Sequence, residues 1–134
     1  MTDKKSIVAV DDSGLILKVL EKLLGEEYDY HAFSKGMRAL KYLKNEKKPD
    51  LIILDIDMPE INGYEMLEMI REKDELKEVP VLFLTSNNDR EHVIKAVKGG
   101  ANDYTVKPVE EKAFMDKVHK LLNDEKKRLS WDNV

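Results

Sequence analysis

The sequence predicts an α/β fold: a single five-stranded parallel sheet, wound (βα)5, with helices on both faces. Three observations carry this. Short continuous apolar runs occur at 7–10, 51–54 and 80–84, and such runs are strands covered on both faces, as in parallel sheets. Between the strands lie stretches whose apolar residues recur at helical spacing. Strand and helix alternate five times within 134 residues, too few units for an eight-fold barrel, which leaves an open, doubly wound sheet.

Each element follows in order. Ile7 to Val10 forms the first strand and ends in Asp11 and Asp12. Ser13-Gly14 can start a helix carrying Leu15, Ile16, Val19, Leu20, Leu23 and Leu24, with Gly25 as its stop. Tyr28 to Phe33 is β-prone but more polar, which suits an edge strand. Ser34 can cap a helix with Met37, Leu40 and Leu43 on one face. Residues 44–48 read as a charged surface connection. Leu51 to Leu54 is the third strand and ends abruptly in Asp55; Pro59 then stiffens the loop and Asn62-Gly63 marks a turn. The following helix directs Met66, Leu67 and Ile70 inward, and 71–78 reads as charged and exposed. The fourth strand, 80–84, stops at Thr85-Ser86. A helix from Asp89 buries Val93, Ile94 and Val97 and ends at Gly99-Gly100. A short strand over 103–106 leads to Lys107-Pro108. The last helix starts near Val109 and buries Phe114, Val118, Leu121 and Leu122, with a charged extension or tail from 124 onward.

Composition narrows the function. Hydrophobic residues make up 42% and charged residues 37%, a globular rather than disordered balance. A formal net charge of -4 argues against direct nucleic-acid binding, which needs a basic footprint. The absence of cysteine removes disulfides, thiol chemistry and Cys-ligated zinc. No apolar run approaches the roughly 20 residues needed to insert into a bilayer. The N-terminal apolar stretch before Asp11 is too short for a secretory leader, which points to the cytoplasm.

A carboxylate leaving the carboxyl end of a buried strand lies where open α/β sheets place their ligands. Alone, Asp55 would equally suit a strand end or a helix cap. Yet in a parallel sheet the residues just past strands one, three, four and five converge on one edge: Asp11-Asp12, Asp55, Thr85 and Lys107. Three carboxylates packed together repel unless a cation lies between them. Mg2+ is the natural candidate, a hard cation held by carboxylates, waters and phosphate oxygens, with Mn2+ able to take its place. A carboxylate beside such a metal, a lysine and a threonine can attack phosphorus, the cations neutralising charge on the phosphoryl oxygens. The product would be an aspartyl phosphate on Asp55.

Over residues 5–123 the chain resembles the receiver domain of bacterial two-component response regulators, close in extent to the single-domain chemotaxis type and flavodoxin-like in fold. The resemblance rests on Val-Asp-Asp at 10–12, Leu-Asp-x-x-Met-Pro at 54–59, Gly63, Leu-Thr at 84–85, Gly-Ala-x-Asp-Tyr at 100–104 and Lys-Pro at 107–108. Residues 124–134 would be a helix extension or tail. The resemblance implies that Asp55 is the phosphoacceptor. Asp12 would bind Mg2+ directly, Asp11 directly or through water, and Asp57 through its backbone carbonyl. Thr85 would be the switch hydroxyl, Lys107 the partner of a phosphoryl oxygen, and Tyr104 the aromatic that turns inward when Thr85 moves. The Lys107-Pro108 bond is commonly cis in such proteins. Asp57 and Asn87 border the path of the attacking water in the family and so modulate loss of the phosphoryl group, although the Asp57 side chain could equally face solvent. Asn62 stands where the family more often has Asp.

The implied function is a signalling switch. It takes a phosphoryl group from a sensor histidine kinase or phosphotransfer protein. It then presents an altered face, formed by the fourth helix, the fifth strand and the final helix, to a downstream protein target, as a monomer or weak homodimer. Only self-phosphorylation and autodephosphorylation are expected of it, not turnover of an external substrate. The alternative is a haloacid-dehalogenase-like phosphatase with Asp55 as nucleophile and Asp57 as acid/base. Against it, that family carries its Asp-x-Asp on the first strand and its acidic pair late, the reverse of the order here. A structural adaptor with a dead site is the third reading. His31, His92 and His119 are scattered, and Met37, Met58, Met66, Met69 and Met115 suit core or boundary packing. Trp131 lies in the tail, packed on the last helix, against a partner, or in a linker. After Leu122 a dozen residues remain, too few for a helix-turn-helix or catalytic module, so the protein either docks alone or belongs to a longer chain.

Overall fold

A computed structural model describes residues 4–46, 48–86 and 90–123. Five strands, β1 (Ser6–Val10), β2 (Asp29–Phe33), β3 (Leu51–Asp55), β4 (Val81–Thr85) and β5 (Asp103–Val106), alternate with five helices. These are α1 (Gly14–Leu24), α2 (Gly36–Asn45), α3 (Gly63–Glu72), α4 (Arg90–Gly99) and α5 (Glu111–Leu122). The sheet is parallel throughout, in the order β2-β1-β3-β4-β5. Every residue of β3 and β4 is buried, as the apolar runs that precede their polar last residues, Asp55 and Thr85, require, whereas the edge strands β2 and β5 are partly exposed. One apolar layer joins the sheet to α1 and α5 through Leu20, Leu24, Phe114 and Val118. The other joins it to α2, α3 and α4 through Leu40, Met66, Leu67 and Ala96. The chain reverses its winding direction between β1 and β3, and a crevice forms beyond the carboxyl ends of strands at such a point. Among the described residues no helix is long and apolar enough to cross a membrane.

Several local expectations need correction. Ser34 does not cap α2; the N-cap is Lys35, with no side-chain cap bond. Gly36 is buried instead, where an added Cβ would lie 2.6 Å from Ile61 Cγ2, so the helix enters tight against the loop before α3. The inward stripe of α2 is Gly36, Ala39, Leu40 and Leu43, spaced i, i+3, i+4, i+7, which leaves Met37 56% exposed. On α1 the stripe is Leu17, Leu20 and Leu24, and Leu15 and Val19 face out. On α4, Val93 and Ala96 are buried while Ile94 and Val97 are only half-buried. Met69, like Met37, faces solvent. The last helix begins at Glu111, after a cap by Glu110 on the Ala113 N–H, rather than near Val109.

The segment 71–78 departs furthest from its expected exposure. Leu76 is buried, and Arg71 is half-buried with its guanidinium on backbone carbonyls. Asn62 does form the cap expected of a turn residue, exchanging hydrogen bonds with Glu65 in a capping box. Gly100, at φ 87°, closes α4: its N–H donates to the Val97 carbonyl and the Ala101 N–H donates to that of Ala96, a Schellman ending that needs a left-handed residue. The Lys107-Pro108 peptide is cis.

Gly63 ties this frame to the crevice. A Cβ there would lie 2.5 Å from the Asp55 carbonyl oxygen and 2.8 Å from Ile56 Cα. Both are backbone atoms that cannot swing aside. Gly63→Ala is therefore expected to destabilise the protein by about 2–3 kcal/mol, the scale of an overpacked core, measured as a lower urea midpoint with an unchanged slope.

Candidate functional site

The carboxyl ends of β1, β3 and β4 and the turn after β5 build one acidic crevice. Asp11 follows β1 and is fully buried. Its backbone N–H donates to the Phe33 carbonyl at 3.1 Å, which extends the β1–β2 ladder by one residue. Its Oδ1 accepts the Ser13 N–H at 2.9 Å, and Ser13 in turn caps α1 by accepting from Ile16. Local sequence thus orients this carboxylate before any ligand is considered. Asp12 is exposed at the rim. Asp55 ends β3 opposite Leu84 and is 2% exposed. Lys107 Nζ stands 2.9 Å from Asp11 Oδ2 and 3.1 Å from Asp55 Oδ1. Its reach is set by the pairing of Thr85 with Val106 and by the Lys107 N–H, which donates to the Thr85 carbonyl at 2.8 Å.

The structure therefore brings Asp11, Asp12, Asp55 and Lys107 together, with buried Thr85 next to the lysine in the ladder. Tyr104 lies further back, half-buried and paired with Phe83 in the sheet. Asp57 is exposed, just beyond Ile56. Asn87 and Trp131 lie outside the described residues. His31 sits 3.1 Å from Asp29 on the β2 edge, and His119 sits 3.6 Å from Glu27.

Asp11, Asp12 and Asp55 each offer a carboxylate oxygen, all within 4.8 Å of one another. Asp11 Oδ2 is buried and lacks a hydrogen bond of good geometry, although the Lys107 ammonium is close. Hard oxygens, a surplus of negative charge and an incompletely satisfied buried oxygen fit a small divalent cation. A cavity of about 500 Å³ opens beside Asp12, between the start of α2 and the loop carrying Met58 and Ile61.

Burial pushes the Asp55 carboxyl up to about 7, with the Asp11 charge adding to the effect, Lys107 opposing it and a hydrogen bond with Asp12 adding again. Burial pulls the Lys107 ammonium down, but its close contacts with the Asp11 and Asp55 carboxylates, and their charges, win and hold it above its ordinary value. The raised Asp55 value means that the folded protein holds a proton the unfolded chain has released between about pH 4 and pH 7. This stabilisation is complete below the unfolded value and is lost as pH rises through about 7. In a chelator-treated sample, Asp55→Asn is expected to be more stable than the wild type, by a margin that widens by about 4 kcal/mol from pH 4 to pH 8. Urea titrations at the two pH values measure it; a margin that shrinks towards pH 8 would contradict the assigned burial.

Arg71 and Lys117 were not singled out by sequence reasoning, yet each ties a helix to residues beside β5 or in it. Arg71 bonds the turn after α4, and Lys117 reaches from α5 to Tyr104. Neither carries a motif; the one signal was a charged residue at helical spacing from buried ones, Arg71 four residues after Leu67 and Lys117 three after Phe114.

Comparison with known proteins agrees with this geometry. A family model described as the response regulator receiver domain matches residues 7–119. Over 104 residues the chain is 38% identical to a two-component response regulator of rice, Oryza sativa subsp. japonica; the match covers 77% of this chain and half the length of that relative. The chemotaxis protein CheY4 of Vibrio cholerae is similar in structure, with a TM-score of 0.84 at 27% identity, covering 89% of this chain and 99% of that one. The BeF3-activated receiver domain of DrrB, a Thermotoga maritima protein, is similar at a TM-score of 0.79 and 31% identity, covering 89% and 97%.

Proposed function

The chain belongs to the response regulator receiver domain family, whose members are signalling switches rather than classical enzymes, and from that premise we propose that Asp55 is its phosphoacceptor. The observation that carries this reading is the Lys107 ammonium set between two buried carboxylates at 2.9 and 3.1 Å, with a third carboxylate at the rim. The phosphoryl donor is a phosphohistidine on a histidine kinase or phosphotransfer protein, the partners of receiver domains. An Asp55 carboxylate oxygen attacks phosphorus, the P–N bond breaks, and the imidazole leaves with its electron pair and takes a proton from solvent.

Asp11, Asp12, Asp55 and the Asp57 carbonyl hold Mg2+, which when bound supplies positive charge for the carboxylates and the phosphoryl oxygens. Lys107 turns from the unmodified carboxylate to a phosphoryl oxygen and keeps its contact with Asp11. Thr85 donates its hydroxyl to another phosphoryl oxygen, and the Tyr104 ring follows into the space it leaves. The phosphoryl group adds about two negative charges and three acceptors, and it shifts the population only by the extent to which it binds the moved state better. The face of α4, β5 and α5 is the regulated surface, met by a downstream protein. The protein acts as a monomer or weak homodimer in the cytoplasm, in the manner of chemotaxis-type receivers. Asp57 and Asn87 set the lifetime of the modification. The haloacid-dehalogenase-like phosphatase is not favoured: residues 7–119 match the receiver-domain family, and Asp55 ends the third strand rather than the first.

Acetyl phosphate with Mg2+ tests this. A single covalent phosphoryl adduct by intact mass, abolished by a chelator, is the expected result. Continued release of phosphate over many turnovers would mean a phosphatase, and neither adduct nor release would mean an adaptor.

A further inference from the structure

Lys117 projects from α5 onto the residue whose movement the switch requires. Its Nζ donates to the Tyr104 carbonyl oxygen, pairs with Asp103 Oδ1 at 3.4 Å, and lies 5.1 Å from the centroid of the Tyr104 ring. Asp103 Oδ1 also accepts the Tyr104 N–H at 2.8 Å. The Lys117 and Asp103 side chains keep 32% and 30% of their exposure, so the ammonium is neither fully hydrated nor sealed in. A cation against an aromatic face is attracted by the ring's negative face, and this attraction depends on where the ring is. The backbone and Asp103 contacts do not: they hold the ammonium in place whichever way the ring turns.

From this geometry we infer that Lys117 is a positioning residue of the switch, holding the Tyr104 ring in its unmodified place and opposing its movement towards Thr85. The inference rests on the phosphoacceptor reading and adds to it the group that sets the resting bias. Movement of the ring forfeits the cation–ring contact, while the lysine stays bound to Asp103 and the Tyr104 carbonyl. A phosphoryl group or its mimic must overcome that loss, so the apparent affinity for the mimic carries its size. At a half-exposed site the contact is worth a factor of about 2 to 5 in the equilibrium.

The experiment measures beryllofluoride affinity in saturating Mg2+ for the wild type, Lys117→Met, Lys117→Gln and Lys117→Arg, and for Lys117→Met in a Tyr104→Ala background. Met and Gln remove the charge, while Arg keeps a cation that can lie on the ring. Lys117→Met and Lys117→Gln are expected to bind the mimic about 2- to 5-fold more tightly than the wild type, with Lys117→Arg returning towards it. In the Tyr104→Ala background the same substitution should change nothing, because the ring that transmits it is gone. A purely structural role for the Asp103 and carbonyl contacts would persist in that background. Equal affinities of the wild type and both neutral variants, or an equal gain with and without the ring, would overturn the inference while leaving the phosphoacceptor reading intact. Failure of the wild type itself to bind beryllofluoride would overturn that reading, and the inference with it.

Discussion

Asp55→Asn is expected to abolish phosphoryl uptake from acetyl phosphate completely while leaving the protein folded. The amide has the volume of the carboxyl but no nucleophilic oxygen, so no acyl phosphate can form. The other two carboxylates are not substitutes. Asp11 is fixed by the Ser13 N–H through Oδ1 and by the lysine near Oδ2, and Asp12 stands exposed at the rim. Lys107 keeps Asp11 at 2.9 Å after the substitution, so the crevice retains its ion pair. Removing a buried carboxyl that burial has already pushed up to about 7 relieves the fold rather than weakening it. Intact mass after incubation with donor and Mg2+ reads the result. An adduct of undiminished yield in the variant would remove Asp55 from its assigned role, whereas Asp57→Asn, at an exposed position, should keep the adduct and alter only how long it lasts.

Arg71→Ala is expected to give the largest loss of stability of any single substitution considered, about 3–4 kcal/mol. Its guanidinium donates to the Gly100 carbonyl at 2.9 and 3.1 Å, to the Val79 carbonyl at 2.8 Å, to the Leu76 carbonyl at 3.3 Å and to Asn102 Oδ1 at 3.0 Å. Asn102 Oδ1 also accepts the Val81 N–H, and the Asn102 N–H donates to the Val81 carbonyl. One planar cation therefore joins the exit of α4, the entry to β4 and the entry to β5. Removing it strips several acceptors of a charged donor at once, and half-buried carbonyls are poorly resolvated. Arg71→Lys should recover less than half of the loss, since a single ammonium cannot reproduce the fork. Urea denaturation of the three proteins measures this, and a loss below about 1 kcal/mol for Arg71→Ala would show that the contacts are individually dispensable. The clamp anchors the amino ends of β4 and β5, the strands whose other ends carry Thr85 and Lys107, so its loss should also loosen the site.

The legibility of this chain is uneven for physical reasons. The central strands were plain because a strand buried on both faces must be apolar along its run, and β3 and β4 are so up to their last residues, Asp55 and Thr85. The edge strand β2 showed in its polarity for the complementary reason, one side of it meeting water. Helix positions were plain but their inward faces were shifted: on α2 the sequence offered Met37 and the fold used Gly36 and Ala39. Hydrophobicity ranks a methionine above a glycine, whereas close approach of Ile61 and Met66 to the helix demands the smaller residue. Arg71 was misread because a charge in a run of charges looks solvated, and nothing in that run marks the Leu76, Val79 and Gly100 carbonyls that converge on it.

The amino-acid order by itself determined the strand–helix alternation, the parallel winding and the placing of polar residues just past four strands, because each depends only on periodicity and on where a strand pattern stops. Only the tertiary structure decided that one ammonium lies 2.9 and 3.1 Å from two carboxylates and that another stands 5.1 Å from the Tyr104 ring. Such distances arise from register between strands and from the packing of α5 on the sheet. No stretch of sequence contains them, since every partner in these contacts is supplied by a different part of the chain.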